Sequence, residues 1–178
     1  MRRGLRRDLR SSPARRAPFP STLSCRQGKS SMTKCFVDTN VLVYAKDSLT
    51  PSKRSAASRW IEALIAVDKL VISAQSLREF YAVSLRRDRS LAARKEARAH
   101  AVELASFVPE ALRADRLNDA WKIEDNHQLG FWDAHLVASA LAAGCTIFLS
   151  EDMNSGQKIE TLTVVNPFTT APEAVLGG

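Results

Sequence analysis

The chain has 178 residues, of which 45% are hydrophobic and 25% are charged, with a formal net charge of +7. This length suits one domain with a single sizeable core, and the absence of any apolar run of about 20 residues excludes a bilayer-spanning helix. The positive charge does not indicate a basic nucleic-acid-binding domain. Residues 1–31 hold nine Lys or Arg residues and one acidic residue, whereas the other 147 residues hold 17 basic and 18 acidic ones.

Residues 1–31 form a basic segment rich in Arg, Ser and Pro. Because it has no apolar periodicity, we predict a disordered tail. Three origins remain open: a transit-like leader, a nucleic-acid-binding arm, or a stretch translated from a start codon placed too early. Met32, directly before "TKCFVDTN", favours the last. The cysteines lack a C-x-x-C pair and indicate reduced thiols of a cytoplasmic protein: Cys25, Cys35 and Cys145.

Four short apolar runs are predicted as strands, and helical patterns separate the first three. The strands are expected at about 34–38, 70–73, 145–150 and 161–168. Between the first two strands we predict a short helix in "VLVYAKD" and a longer one from Pro51, with Ala56, Trp60, Leu64 and Val67 at helical spacing.

Four further helices are predicted between the second and third strands. Ser73 and Ser90 are placed to cap two of them, and Gly144 to end the last. The remaining helix is expected after Pro109, through Leu112, Leu117, Trp121 and Ile123. This alternation predicts an α/β fold with a mostly parallel sheet covered by helices on both faces. We expect one domain over 32–168 and a C-terminal tail over 169–178.

Four acidic residues fall near the carboxyl ends of the predicted strands or in helices that begin there. They are Asp38, Glu79, Asp133 and Asp152. Ligands of open α/β sheets bind at that edge, so these side chains are expected to gather. Carboxylates held close together repel unless a cation is present, and Mg²⁺ prefers oxygen ligands. The pattern predicts a metal site, with hydrogen bonds from Thr39 and Asn40 orienting Asp38.

Each acid also has an ordinary structural explanation. Asp38 suits a turn, and Asp152 suits a surface loop. Glu79 completes the S-x-x-E of a capping box, although Ser73 is the better cap. Asp133 suits the first turn of its helix. The joint placement of the four residues is what favours a functional site.

Four motifs in order, "VDTNVLVY", "SLREFYAV", "GFWDAHLVASALAAGC" and "FLSEDMNSG", resemble those of a PIN domain, most closely the VapC-like toxins of prokaryotic toxin–antitoxin pairs. The resemblance covers about residues 32–168. It implies a three-layer α/β/α fold and a metal-dependent ribonuclease whose acidic quartet is Asp38, Glu79, Asp133 and Asp152, with polar support from Thr39, Asn40 and Ser150. Glu151 competes with Asp152 for the last acidic position, and the family's S/T-x-D pattern favours Asp152.

The function expected from this resemblance is hydrolysis of RNA phosphodiester bonds with Mg²⁺ or Mn²⁺. Asp38, Asp133 and Asp152 are the expected direct ligands, and Glu79 would bind a second ion or orient the attacking water. The expected partners are an RNA substrate, a cognate antitoxin and a second copy of the chain, with no membrane. A DNA-cutting enzyme of the same fold, a phosphotransferase with an Asp nucleophile, and a non-catalytic nucleic-acid-binding module remain as alternatives.

Three histidines and a group of three arginines also have side chains suited to catalysis or RNA binding. His100, His127 and His135 are expected in surface or core roles, because His135 points about 200° around its helix from Asp133. Arg86, Arg87 and Arg89 suit contact with an RNA backbone and, equally, a solvated helix end.

Overall fold

The computed structural model describes residues 34–112 and 116–177. The predicted tail over 1–31 and Cys25 lie outside these residues. The strands are β1 (Lys34–Val37), β2 (Leu70–Val71), β3 (Cys145–Leu149), β4 (Lys158–Ile159) and β5 (Leu162–Val165). The helices are α1 (Thr39–Tyr44), α2 (Pro51–Ala66), α3 (Ala74–Ser84), α4 (Leu91–Ala105), α5 (Leu117–His127), α6 (Phe131–Ala142) and α7 (Glu173–Leu176), with a 3-10 turn at Glu110–Leu112.

Within the described residues the strands form one sheet in the order β2-β1-β3-β5-β4. All neighbouring strands pair in parallel except β4 and β5, which pair antiparallel. Cys35, Phe36 and Val37 of β1 are all buried, as expected for a central strand covered on both faces. The predicted α/β fold with a mostly parallel sheet is confirmed. No helix in the described parts of the chain is long and apolar enough to cross a membrane.

The hydrophobic core joins the sheet to the helices through large side chains. Phe36 of β1 stacks on Phe148 of β3, with ring centroids 5.3 Å apart. Trp60 of α2 is fully buried, and its indole N–H donates to the carbonyl oxygen of Thr170 at 2.8 Å. Cys35 and Cys145 are buried free thiols, and burial raises the pKa of the Cys145 thiol to about 12.

Several helix boundaries agree with the sequence signals. Pro51 opens α2, and the Oγ atoms of Ser73 and Ser90 accept backbone N–H bonds at the starts of α3 and α4. In α3 the reciprocal capping partner of Ser73 is Ser76, not Glu79. Gly144 follows α6 with a φ of +70°, a conformation that glycine adopts without strain.

Other boundaries differ from the prediction. β2 ends at Val71 because the Ile72 N–H donates to the Phe107 carbonyl outside the sheet. The helix predicted through Leu112 and Leu117 begins only at Leu117, since Leu112 belongs to the separate 3-10 turn.

At the C-terminal end, β5 is shorter than predicted, and the two-residue strand β4 was not predicted. Within the segment predicted as a tail, α7 forms, and Val175 and Leu176 pack against the core.

Candidate active site

The carboxyl edge of the sheet carries a row of polar residues because the parallel strands end in register. Val37 of β1 pairs with Leu149 of β3, which pairs with Val165 of β5. The residues that directly follow β1 and β3, Asp38 and Ser150, are therefore side by side. The Asp38 backbone N–H donates to the Leu149 carbonyl oxygen, and the Ser150 backbone N–H donates to that of Val165.

Asp38 is almost fully buried and is the N-cap of α1. Its Oδ1 accepts the Thr39 backbone N–H at 2.6 Å, and its Oδ2 accepts the Ser150 hydroxyl at 2.7 Å and the Asn40 amide at 3.1 Å. The turn role suggested by the sequence is thus real, since a carboxylate at a helix N-terminus caps it. The bonds to Ser150 and Asn40 go beyond what a cap requires.

Asp152 faces the same point from the loop after β3. The Asn40 amide donates to its Oδ2 at 2.9 Å, and its backbone N–H donates to the Ser150 hydroxyl oxygen at 3.2 Å. The neighbouring Glu151 is turned elsewhere and pairs with the ammonium group of Lys53. Of the two acids that competed in the sequence, Asp152 is therefore the one beside Asp38.

Glu79 projects from the second turn of α3 and is held by two neutral donors. Its Oε2 accepts the Thr39 hydroxyl at 2.8 Å, and its Oε1 accepts the Gln75 amide at 2.7 Å. Gln75 was not singled out in the sequence. The available signal was its spacing, because residues four apart on a helix share a face.

Asp133 lies in the first turn of α6, which begins at the same edge because the helix runs back along the sheet before β3. Partial loss of solvation, together with the charges of Asp152 and Glu79, raises the pKa of Asp133. The four acids that the sequence proposed therefore lie toward the same edge of the sheet.

The electrostatics of Asp38 show the same convergence. Burial is the largest cause that raises the pKa of Asp38 to about 6, and the charges of Asp152 and Asp133 also raise it. Hydrogen bonds from Ser150 and from the Thr39 backbone oppose the shift. A cation would relieve this cost because it favours the ionised carboxylates.

The polar residues outside this cluster have other contacts. His127 Nε2 lies 3.2 Å from Glu160 Oε1. Arg87 forms an ion pair of 3.2 Å with Asp47, and Arg86 and Arg89 are exposed. The ammonium group of Lys53, besides pairing with Glu151, lies 4.5 Å from the ring centre of Tyr44.

The comparisons with known proteins support the fold and the family of the chain. The crystal structure of PAE2754 from Pyrobaculum aerophilum is similar to the chain with a TM-score of 0.51 and 20% identity, covering 75% of this chain and 90% of that one. This likeness supports the fold. No curated protein matches the sequence significantly. The model of the PIN domain family matches residues 35–155.

The chain belongs to the PIN domain family. PIN domains are in general nucleases that use divalent metals. In the described ranges no three His, Cys, Asp or Glu side chains are grouped tightly enough to hold a metal as placed. The chemistry of the cluster nevertheless fits, because its donors are oxygens and two of its acids carry raised pKa values.

Proposed function

We propose that this PIN domain is an endoribonuclease that uses Mg²⁺ or Mn²⁺ and acts as the toxin of a toxin–antitoxin pair. The observation that carries the nuclease assignment is the convergence of four acids on one edge of the sheet, where Asp38, Asp133 and Asp152 interact electrostatically. RNA as the substrate, and the toxin role with its antitoxin and homodimer, are supported by the resemblance of the four motifs to VapC-like toxins.

In the proposed mechanism Asp38, Asp133 and Asp152 would hold the ion, and Glu79 would orient the attacking water or hold a second ion. A bound ion supplies Lewis-acid stabilisation of the phosphodiester and lowers the pKa of a bound water. Ser150 orients the Asp38 carboxylate, while Thr39 and Gln75 orient Glu79. These neutral donors stabilise the ionised carboxylates. Unlike a lysine, they add no positive charge that would itself attract the substrate phosphate.

Incubation of the purified protein with total RNA and with single-stranded DNA tests the proposal. We expect RNA cleavage with Mg²⁺ or Mn²⁺, none with EDTA, and intact DNA. Sequencing of the new RNA ends should show a small set of cleavage sites. Cleavage of DNA in place of RNA would favour a DNA-directed enzyme of the same fold, and binding without cleavage would favour a non-catalytic module.

An exposed tryptophan beside the acids is proposed to contact the substrate. Trp132 is 66% exposed and directly precedes Asp133 in the first turn of α6. Its ring meets Phe131 edge to face, with centroids 5.2 Å apart, which leaves a face of the indole for an unpaired base. Stacking of a base on an aromatic side chain contributes about 1–3 kcal/mol.

We therefore expect Trp132→Ala to weaken RNA binding by roughly 5- to 100-fold. Affinity is measured by anisotropy in an Asp38→Asn background, so that the RNA stays intact. Trp121→Ala is the matched control, because Trp121 is also exposed but lies on α5. Equal losses from both substitutions would contradict a specific role for Trp132.

A further inference from the structure

The side-chain amide of Asn40 joins two of the four acids. Its Nδ2 donates to Asp38 Oδ2 at 3.1 Å and to Asp152 Oδ2 at 2.9 Å. These acids are far apart in the sequence and follow different strands of the sheet. An amide nitrogen carries two protons, so both are used to bridge the two carboxylates. By contrast, Thr39 and Gln75 each donate a side-chain bond to Glu79 alone among the acids.

The orientation of this amide has a cost elsewhere. Asn40 Oδ1 is buried and accepts no hydrogen bond. An unpaired buried acceptor is unfavourable because it has lost its hydrogen bonds to water. Rotating the amide by 180° would move Oδ1 out of its buried position and direct it at two carboxylate oxygens. No hydrogen bond could form there, because amide and carboxylate oxygens are all acceptors. The two acids therefore determine the orientation of Asn40, and its N–H hydrogens carry partial positive charge into the space between them.

We propose that the Asn40 amide and the divalent cation compete for the same two carboxylate oxygens. Asn40 is then a positioning residue that holds Asp38 and Asp152 together before metal binds and releases them when it does. The inference rests on the metal of the proposed function, but it concerns the binding equilibrium of the ion and not the RNA reaction. A hydrogen bond that is present in the metal-free site and lost when the ion binds weakens ion binding by the free energy of that bond.

Asn40→Ala tests the competition. Without the amide, Asp38 and Asp152 lose their bridge, so the metal-free protein should melt at a lower temperature than the wild type. The variant should bind Mn²⁺ about tenfold more tightly, because the ion no longer has to displace the charge-assisted hydrogen bonds of the amide, and water replaces those bonds only in part. Isothermal calorimetry measures the affinity, and melting with EDTA measures the stability of the metal-free state.

Asn40→Ser supplies a graded comparison and a second route if the alanine variant does not fold. A serine hydroxyl has one proton, so it can donate to one acid but not bridge two. Its Mn²⁺ affinity should lie between those of the wild type and Asn40→Ala. Gln75→Leu is the matched control, because it removes an amide that donates to Glu79 alone among the acids. It should raise Mn²⁺ affinity less than Asn40→Ala does.

The outcomes separate this inference from the proposed function. Equal or weaker Mn²⁺ binding by Asn40→Ala, with RNA cleavage by the wild type intact, would overturn the competition and leave the nuclease assignment standing. Tighter binding by the variant, with no RNA cleavage by the wild type, would support the competition and overturn the ribonuclease assignment. A wild-type protein that binds no Mn²⁺ would overturn both.

Discussion

Replacing Asp38 by Asn should reduce RNA cleavage by at least about 100-fold while the protein stays folded, because a metal ion contributes several kcal/mol to such reactions. Asp38 is the most buried of the four acids and receives bonds from Thr39, Asn40 and Ser150. The amide keeps the shape of the carboxylate and its capping oxygen but lacks the charge that an ion needs. Cleavage of labelled RNA is measured alongside the melting temperature.

The control for this substitution comes from the two adjacent acids after β3. Asp152→Asn should lose cleavage as Asp38→Asn does, because Asp152 shares the Asn40 amide with Asp38. Glu151→Gln should keep it, because Glu151 pairs with Lys53 outside the cluster. The same variants test the toxin role in cells: the wild type and Glu151→Gln should arrest growth, and Asp38→Asn should not. Full cleavage by Asp38→Asn would disprove the assignment.

The second large effect concerns stability in the absence of metal. The pKa of Asp38 is raised to about 6 from an ordinary value of 3.8, so the folded state holds this proton more tightly than the unfolded state. The stability from this proton is fully present below pH 4 and is lost as the pH rises through 6. A shift of this size corresponds to about 3 kcal/mol in the free energy of unfolding.

Asp38→Asn should remove this dependence, because an amide does not titrate in this range. The free energy of unfolding of the variant, relative to that of the wild type, should therefore rise by about 3 kcal/mol between pH 3 and pH 7. Urea unfolding with EDTA at fixed pH values measures this difference. Asp47 and Glu173, whose pKa values are lowered, make stability rise with pH, but they are present in both proteins. Their contribution therefore cancels in the difference between the variant and the wild type. If the stability difference between the variant and the wild type stays constant with pH, burial and the neighbouring charges do not raise the pKa of Asp38.

Local patterns in the sequence determined the parts of this protein that depend on near neighbours. The strand before Asp38 and the starts of α2, α3 and α4 follow from apolar runs and from Pro51, Ser73 and Ser90, whose effects reach a few residues. The ends of strands were harder, because hydrogen bonds to distant backbone decide them. Ile72 leaves the sheet to donate to Phe107, which no nearby residue signals.

The acidic site divides in the same way. The sequence placed Asp38, Glu79, Asp133 and Asp152 at one edge because parallel strands must end together. It did not contain the bridge from Asn40 to two acids or the pairing of Lys53 with Glu151, which decides which acid faces the cluster. Asn40 and Asp152 are 112 positions apart, and Lys53 and Glu151 are 98 positions apart. The geometry of both contacts depends on how α1, α2 and the loop after β3 pack together. Only the tertiary structure decides these contacts, because no local preference of the chain links residues at that separation.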